Sequence, residues 1–330
     1  MSLIDFVAGL MFVGVVAYGI FGGADYGSGM WDLFAGNAEH GAELRTQVDS
    51  SIGPVWEANH VWLVYILVFM WSAFPTGFAA VLQTFWIPWM IVGLGIILRG
   101  SGFAFRKFSE SLDSARMYGA VFALSSFITP FFLGMIVGGI VNGRVPLTNG
   151  DLWTSWTGPA SWVGGILAVL TSAFLAATFL AADAHRAGKF SLAEYCGRRA
   201  LVSGVITGVV ALVAVPLLKN DAPVFTDRLQ GRAFVFALGS AISGGFAIFM
   251  LMKQKWAIAR LGAVAAVGSV LIGWGVAQWP DFLIESATLE QVAGARVTLV
   301  GLVIVFAVAA VTAVPALAWL YYLVTRRTAD

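Results

Sequence analysis

Hydrophobic and polar positions fall in long blocks along this chain instead of alternating within it. Nine apolar runs, at roughly 5–24, 57–74, 77–98, 117–141, 160–182, 200–218, 232–252, 258–279 and 296–325, are each long enough for a membrane helix. Their apolar character is continuous, whereas a transmembrane barrel strand alternates, so a β-barrel is excluded. They also lack the polar outer face that a helix of a soluble domain needs. The longest polar stretches, 25–56, 142–159 and 280–295, are too short for an extramembrane domain. The pattern predicts an all-α polytopic membrane protein.

Composition agrees: 59% of the 330 residues are hydrophobic and 11% are charged. A net charge of +1 argues against nucleic acid as a partner. The single cysteine, Cys196, excludes a disulfide framework and a cysteine-built metal cluster. No Lys or Arg precedes Arg45, so the first apolar run lacks the basic start of a cleaved leader and is expected to be retained. Fourteen of the 19 Lys and Arg residues fall on one side of the nine spans, which predicts an N-terminus outside and a cytoplasmic C-terminus. Gly19 with Gly23 and Gly134 with Gly138 are small pairs one turn apart, suited to close helix contacts. Eight spans plus one invite a division into a bundle at 1–142, a second at 143–280, and a peripheral helix with a short tail at 281–330. The repeated "VFAL" at 121–124 and 235–238 is too short to establish a duplication.

Candidate chemistry gathers in the first third. In "GPVWEANHVWLVYILVFMWSAFP" (53–75) the uncharged part that follows His60, Val61 to Phe74, is fourteen residues. That is about 21 Å of helix against a hydrocarbon core of about 30 Å. The helix crosses only if it includes Glu57, Ala58, Asn59 and His60, which puts Glu57 at the edge of the membrane. Glu57 and His60, three apart, share a face, Pro54 suits a helix start, and an acid in the first turn complements the macrodipole. The plainer reading is an acidic anchor at the interface, with Trp56 and Trp62 as belt residues. Asp25 in "FGGADYGSGMWD" and Arg99 in "GIILRGSGFAFRK" close the first and third runs on the same side as Glu57. Two acids and one arginine at one depth are what a balanced intramembrane charge cluster requires. Asp32 could extend a polar path or sit in a solvated loop. Of the three histidines, His40, His60 and His185, only His60 lies at membrane depth, so a bis-histidine haem has no ligand pair here; a single axial ligand stays open, beside the plainer reading of a histidine bonded to a neighbouring carboxylate or backbone carbonyl.

"GGADYGSGM", "GPVWEANHVWLV" and "ILRGSGFAFR" resemble, in order and spacing, the signature segments of subunit II of cytochrome bd-type terminal oxidases. The resemblance implies two four-helix bundles plus one peripheral helix, and quinol oxidation coupled to reduction of O2 to water in a bacterial or archaeal cell membrane. It implies a partner, subunit I, that carries haems b and d and the quinol site, and it leaves room for small single-helix accessory subunits and for a quinone on this chain. It places Glu57, beside Trp56, and Asp25 near a proton path, with Arg99 as their charge partner and Asn59 and His60 as polar support. Glu57 stands where the family often has Asp, His60 where Gln is common, and Gly119 where an acid is often found. Without the resemblance, the same charge cluster would also suit a secondary transporter or ion channel.

Overall fold

The computed structural model describes residues 2–36, 41–53 and 55–327; His40 and Pro54 lie outside them. Leu3–Ala17 (α1) starts on a reciprocal cap in which the Ser2 hydroxyl accepts from Asp5 N–H and Asp5 accepts from Ser2 N–H. It runs through a π-helical turn, Tyr18–Gly22, into Gly23–Leu33 (α2), giving one span of 31 residues. Ala42–Ile52 (α3) and Trp56–Ala73 (α4) follow, bent by 52° at their junction. Next come Pro75–Thr84 (α5), Trp86–Lys107 (α6), Leu112–Ile140 (α7), Pro159–Arg186 (α8) and Phe190–Asp221 (α9). Pro223–Gln230 (α10), Phe234–Met252 (α11) and Trp256–Gln278 (α12) lead to a small hairpin, Asp281–Leu283 (β1) with Ala287–Thr288 (β2). Leu289–Val292 (α13) and Arg296–Arg327 (α14) complete the chain. Among the described residues, eight helices are long and apolar enough to cross a membrane, or nine if α3 and α4 form one bent span.

Two of the expected boundaries move. The stretch from 25 is helical as far as Leu33, because its small residues let it enter the bundle: a Cβ on Gly27 would stand 1.9 Å from the Ser172 carbonyl oxygen of α8. The run taken as one span at 77–98 is two helices broken at Phe85, and the spanning one, α6, continues past Arg99 to Lys107. Pro75 opens the short helix, where its missing N–H costs nothing. The polar 280–295 stretch folds as the hairpin and α13.

Helices α6 to α9 pack as successive neighbours, α11 pairs with α12, and α2 lies against both α7 and α8. The α7–α8 seam is built from small residues, with Gly134 against the Gly164 carbonyl and Gly138 against that of Ala160. In lipid, where apolar side chains gain little by leaving their surroundings, such close backbone approach supplies the dispersion contacts that hold helices together. Single polar bonds pin the seams: Trp31 Nε1 donates to the Ala173 carbonyl (2.8 Å), and the Tyr65 hydroxyl donates to that of Leu10 (2.7 Å). The last helix, α14, packs on α1 and α4. At the end of the bundle that holds the 141–158 loop, Asp221 pairs with Arg144 (2.6 Å) and accepts from Ala160 N–H at the start of α8 (2.8 Å). In that loop, backbone N–H groups of Thr154 and Trp153 hold the exposed Asp151 carboxyl below the usual carboxylate range.

Candidate functional site: a buried ion-pair ladder with a polar branch

Asp25 sits in the first turn of α2 and Arg99 in the interior of α6, and the two meet at 2.8 Å. Arg99 is 1% exposed and Asp25 4%, so the pair is sealed from solvent and each charge depends on the other. Two further hydrogen bonds leave the guanidinium. Arg99 Nε donates to Ser126 Oγ (3.0 Å) and Nη2 donates to the Asp25 carbonyl (3.2 Å). Ser126 can accept because its own proton goes back along α7 to the Phe122 carbonyl (2.7 Å). The rings of Tyr26 and Phe122 lie 5.0 and 5.1 Å from the guanidinium carbon, within cation–π range. Asp25 Oδ2 is buried with no hydrogen-bond partner in the protein.

Seven residues further along each helix, two turns or about 10.5 Å, the pairing repeats. Arg106 of α6 binds Asp32 of α2, and it also reaches Asp49 of α3 (2.5 Å). Arg45 of α3 binds Asp32 at 2.9 Å. Asp32 is therefore a buried, doubly bridged acid and not a loop residue. The lower rung ties α3, the helix that leads into α4, to the spanning helices. The equal spacing of Asp25/Asp32 and Arg99/Arg106 is the sequence signal for this ladder.

Glu57 does not join the pair. It lies in the first turn of α4 as expected but is exposed, and among the described residues its side chain makes no ion pair or hydrogen bond. Asn59 is buried, and Trp56 packs on Phe103 (ring centroids 5.9 Å) and edge-on to His60 (6.3 Å). His60 faces inward to a branch that sequence reasoning missed. Tyr18, on the π-helical turn, is hydrogen-bonded to Tyr26 between hydroxyls (2.9 Å) and lies 3.5 Å from His60 Nδ1. His60 Nε2 is buried without a partner.

Among the described residues no three His, Cys, Asp or Glu side chains gather to hold a metal ion. Nor do they fit a haem: His60 is ringed by Tyr18, Tyr26 and Trp56 at 5.9–6.3 Å between centroids, and His185 is exposed at the end of α8, against Phe190.

The family model for "Cytochrome bd terminal oxidase subunit II" matches residues 3–324. The chain is 36% identical over 135 residues to the cytochrome bd ubiquinol oxidase subunit 2 of Bacillus subtilis, a stretch covering 41% of this chain and 39% of that one. It is 28% identical over 135 residues to the cytochrome bd-I ubiquinol oxidase subunit 2 of Escherichia coli K12, covering 40% and 35%. The matched stretch thus spans less than half the length of these two relatives. In fold it is similar to a chain of the bd oxidase from Geobacillus thermodenitrificans, with a TM-score of 0.76, 18% identity and 98% of each chain covered.

Proposed function

The chain belongs to the cytochrome bd terminal oxidase subunit II family, and we propose that it braces a haem-bearing subunit I and carries protons from the cytoplasmic side towards the site of O2 reduction. In this reading the N-terminus is outside, the ladder of Asp32 and Arg106 faces the cytoplasm of a bacterial or archaeal cell, and residues 1–142 and 143–280 form the two bundles. The partner's haems supply the electron transfer and O2 chemistry, with quinol as the reductant. Water formation consumes protons, and a route through low-dielectric protein needs groups that can gain and lose one. Asp25 and Glu57 are those groups, with Arg99 balancing the buried acid. The observation that carries the reading is the sealed Asp25–Arg99 pair, in which one carboxylate oxygen is held and the other is left unbonded. Intramembrane ionisable residues are costly and their presence points to ion or proton movement. Family membership favours this reading over a transporter built on the same cluster.

Glu57 is the residue on which to test it, because replacing Asp25 would also strand Arg99. Glu57→Gln is expected to assemble with full haem content and to lose about a hundredfold in quinol oxidase turnover, the low end for loss of a proton-transfer group. Glu57→Asp should keep most of the activity. Full turnover in a haem-loaded Glu57→Gln complex would reduce Glu57 to a helix anchor.

A further inference from the structure

Among the described residues no hydrogen bond joins the two rungs of the ladder, and an aromatic ring fills the space between them. We propose that Phe122 is a hydrophobic gate that sets how often protons from the Asp32–Arg106 rung reach the sealed Asp25–Arg99 pair. This rests on the proton-delivery reading and names the residue that governs entry to its buried acid.

Phe122 belongs to α7, which packs on both α2 and α6, and it is fully buried. The guanidinium carbons of Arg99 and Arg106 each lie 5.1 Å from its ring centroid, so one side chain sits against both rungs. Helices α2 and α6 make room for it with glycine. Gly29 lies between Asp25 and Asp32, and a Cβ there would run into Ser126 Oγ and stand 3.2 Å from Phe122 Cε1. Gly102 lies between Arg99 and Arg106, and a Cβ there would be 2.9 Å from both the Phe122 backbone nitrogen and the Tyr118 carbonyl oxygen. Phe103 backs the Phe122 ring at 5.5 Å between centroids, with Trp56 behind it at 5.9 Å. The layer between the rungs is therefore apolar. Of the hydroxyls beside it, Ser28 donates to the Ala24 carbonyl (2.8 Å) and Ser126 to that of Phe122 (2.7 Å), each back along its own helix. Neither carries a bond from one rung to the other.

Exposure falls across the same layer. The side chains of Asp49 and Arg45, on the lower rung, are 33% and 30% exposed, whereas Asp25 and Arg99 are sealed. The rungs are about 10.5 Å apart along their helices, beyond the reach of one hydrogen bond. A proton crosses only along water that enters between them. A dry aromatic constriction opposes that entry as a hydrophobic pore gate does, by excluding water until the ring moves aside.

The test uses the whole oxidase complex containing this chain, at measured haem content. Phe122→Leu and Phe122→Ala thin the layer. Phe85→Leu, which removes a buried ring at the opposite end of α6, is the control for lost packing. One readout is the rate of proton uptake in a single turnover with O2, followed with a pH-indicator dye. The other is hydroxyl-radical labelling of Tyr26, whose buried ring beside Arg99 reports water on the inner side of the layer. Both Phe122 variants are expected to take up protons severalfold faster than the parent and to label Tyr26 severalfold more, while Phe85→Leu matches the parent in both. Faster uptake is the discriminating result, because a packing defect admits water without speeding a step that does not pass through it. Where Phe122→Ala does not assemble, Phe122→Leu decides. Uptake no faster than the parent's in a haem-loaded Phe122→Leu complex, with Glu57→Gln impaired, would overturn the gate and leave the delivery reading standing. An unimpaired Glu57→Gln would remove the reading beneath it.

Discussion

Arg99 is a guanidinium at 1% exposure whose bonds go to Asp25, Ser126 and two aromatic faces. Removing it leaves a carboxylate buried without its counter-charge, an event worth about 3–5 kcal/mol. Arg99→Ala is therefore expected to abolish most of the complex recovered by size-exclusion chromatography. Arg99→Lys should recover part of it, because one ammonium can reach Asp25 but cannot also serve Ser126 and stack on two rings. Equal, negligible effects would make Arg99 a topology anchor. Asp25 and Arg99 stand out in the sequence because charges amid apolar runs are conspicuous. That Glu57 stays outside their pair is less legible. Glu57 and buried Asn59 are two positions apart, about 200° around the helix, and only packing decides which of those directions faces the bundle.

At the scale of elements, the glycine pairs separate into those that set a seam and those that merely occupy one. A Cβ on Gly134 would lie 2.3 Å from the Gly164 carbonyl oxygen, and one on Gly138 2.2 Å from that of Ala160. Neither backbone atom can swing aside, so Gly134→Ala and Gly138→Ala are each expected to cost about 1–3 kcal/mol and lower the thermal midpoint of the complex. Gly23→Ala meets Leu175 and Ser172 only at 3.5 Å and should change that midpoint little, within about 0.5 kcal/mol. A midpoint for Gly134→Ala equal to that for Gly23→Ala would contradict the seam. Hydropathy located the apolar blocks because lipid exposure demands them, but it does not see breaks inside a block. The break at Phe85 hides in an apolar run, and the helical course of Gly23–Leu33 hides in a polar one. In the second case tertiary charge pairing, through Asp25 and Asp32, offsets the unfavourable composition.

For the whole molecule, the described residues hold charge ladders and packed seams but no pair of haem ligands. The isolated chain is expected to bind no stoichiometric haem when reconstituted with excess haem in detergent. Haem retained by the chain alone, and lost in His60→Ala, would contradict that. The central claim is that this chain works only beside a partner that carries the redox centres. Its most direct test is a reduced-minus-oxidised spectrum of the complex captured from native membranes through a tag on this chain, with its subunits identified by mass spectrometry. Expected are a second helical subunit, haem b and d bands in near-constant ratio to it, and quinol-dependent O2 consumption. A captured chain that is alone, haem-free and without that activity would contradict it.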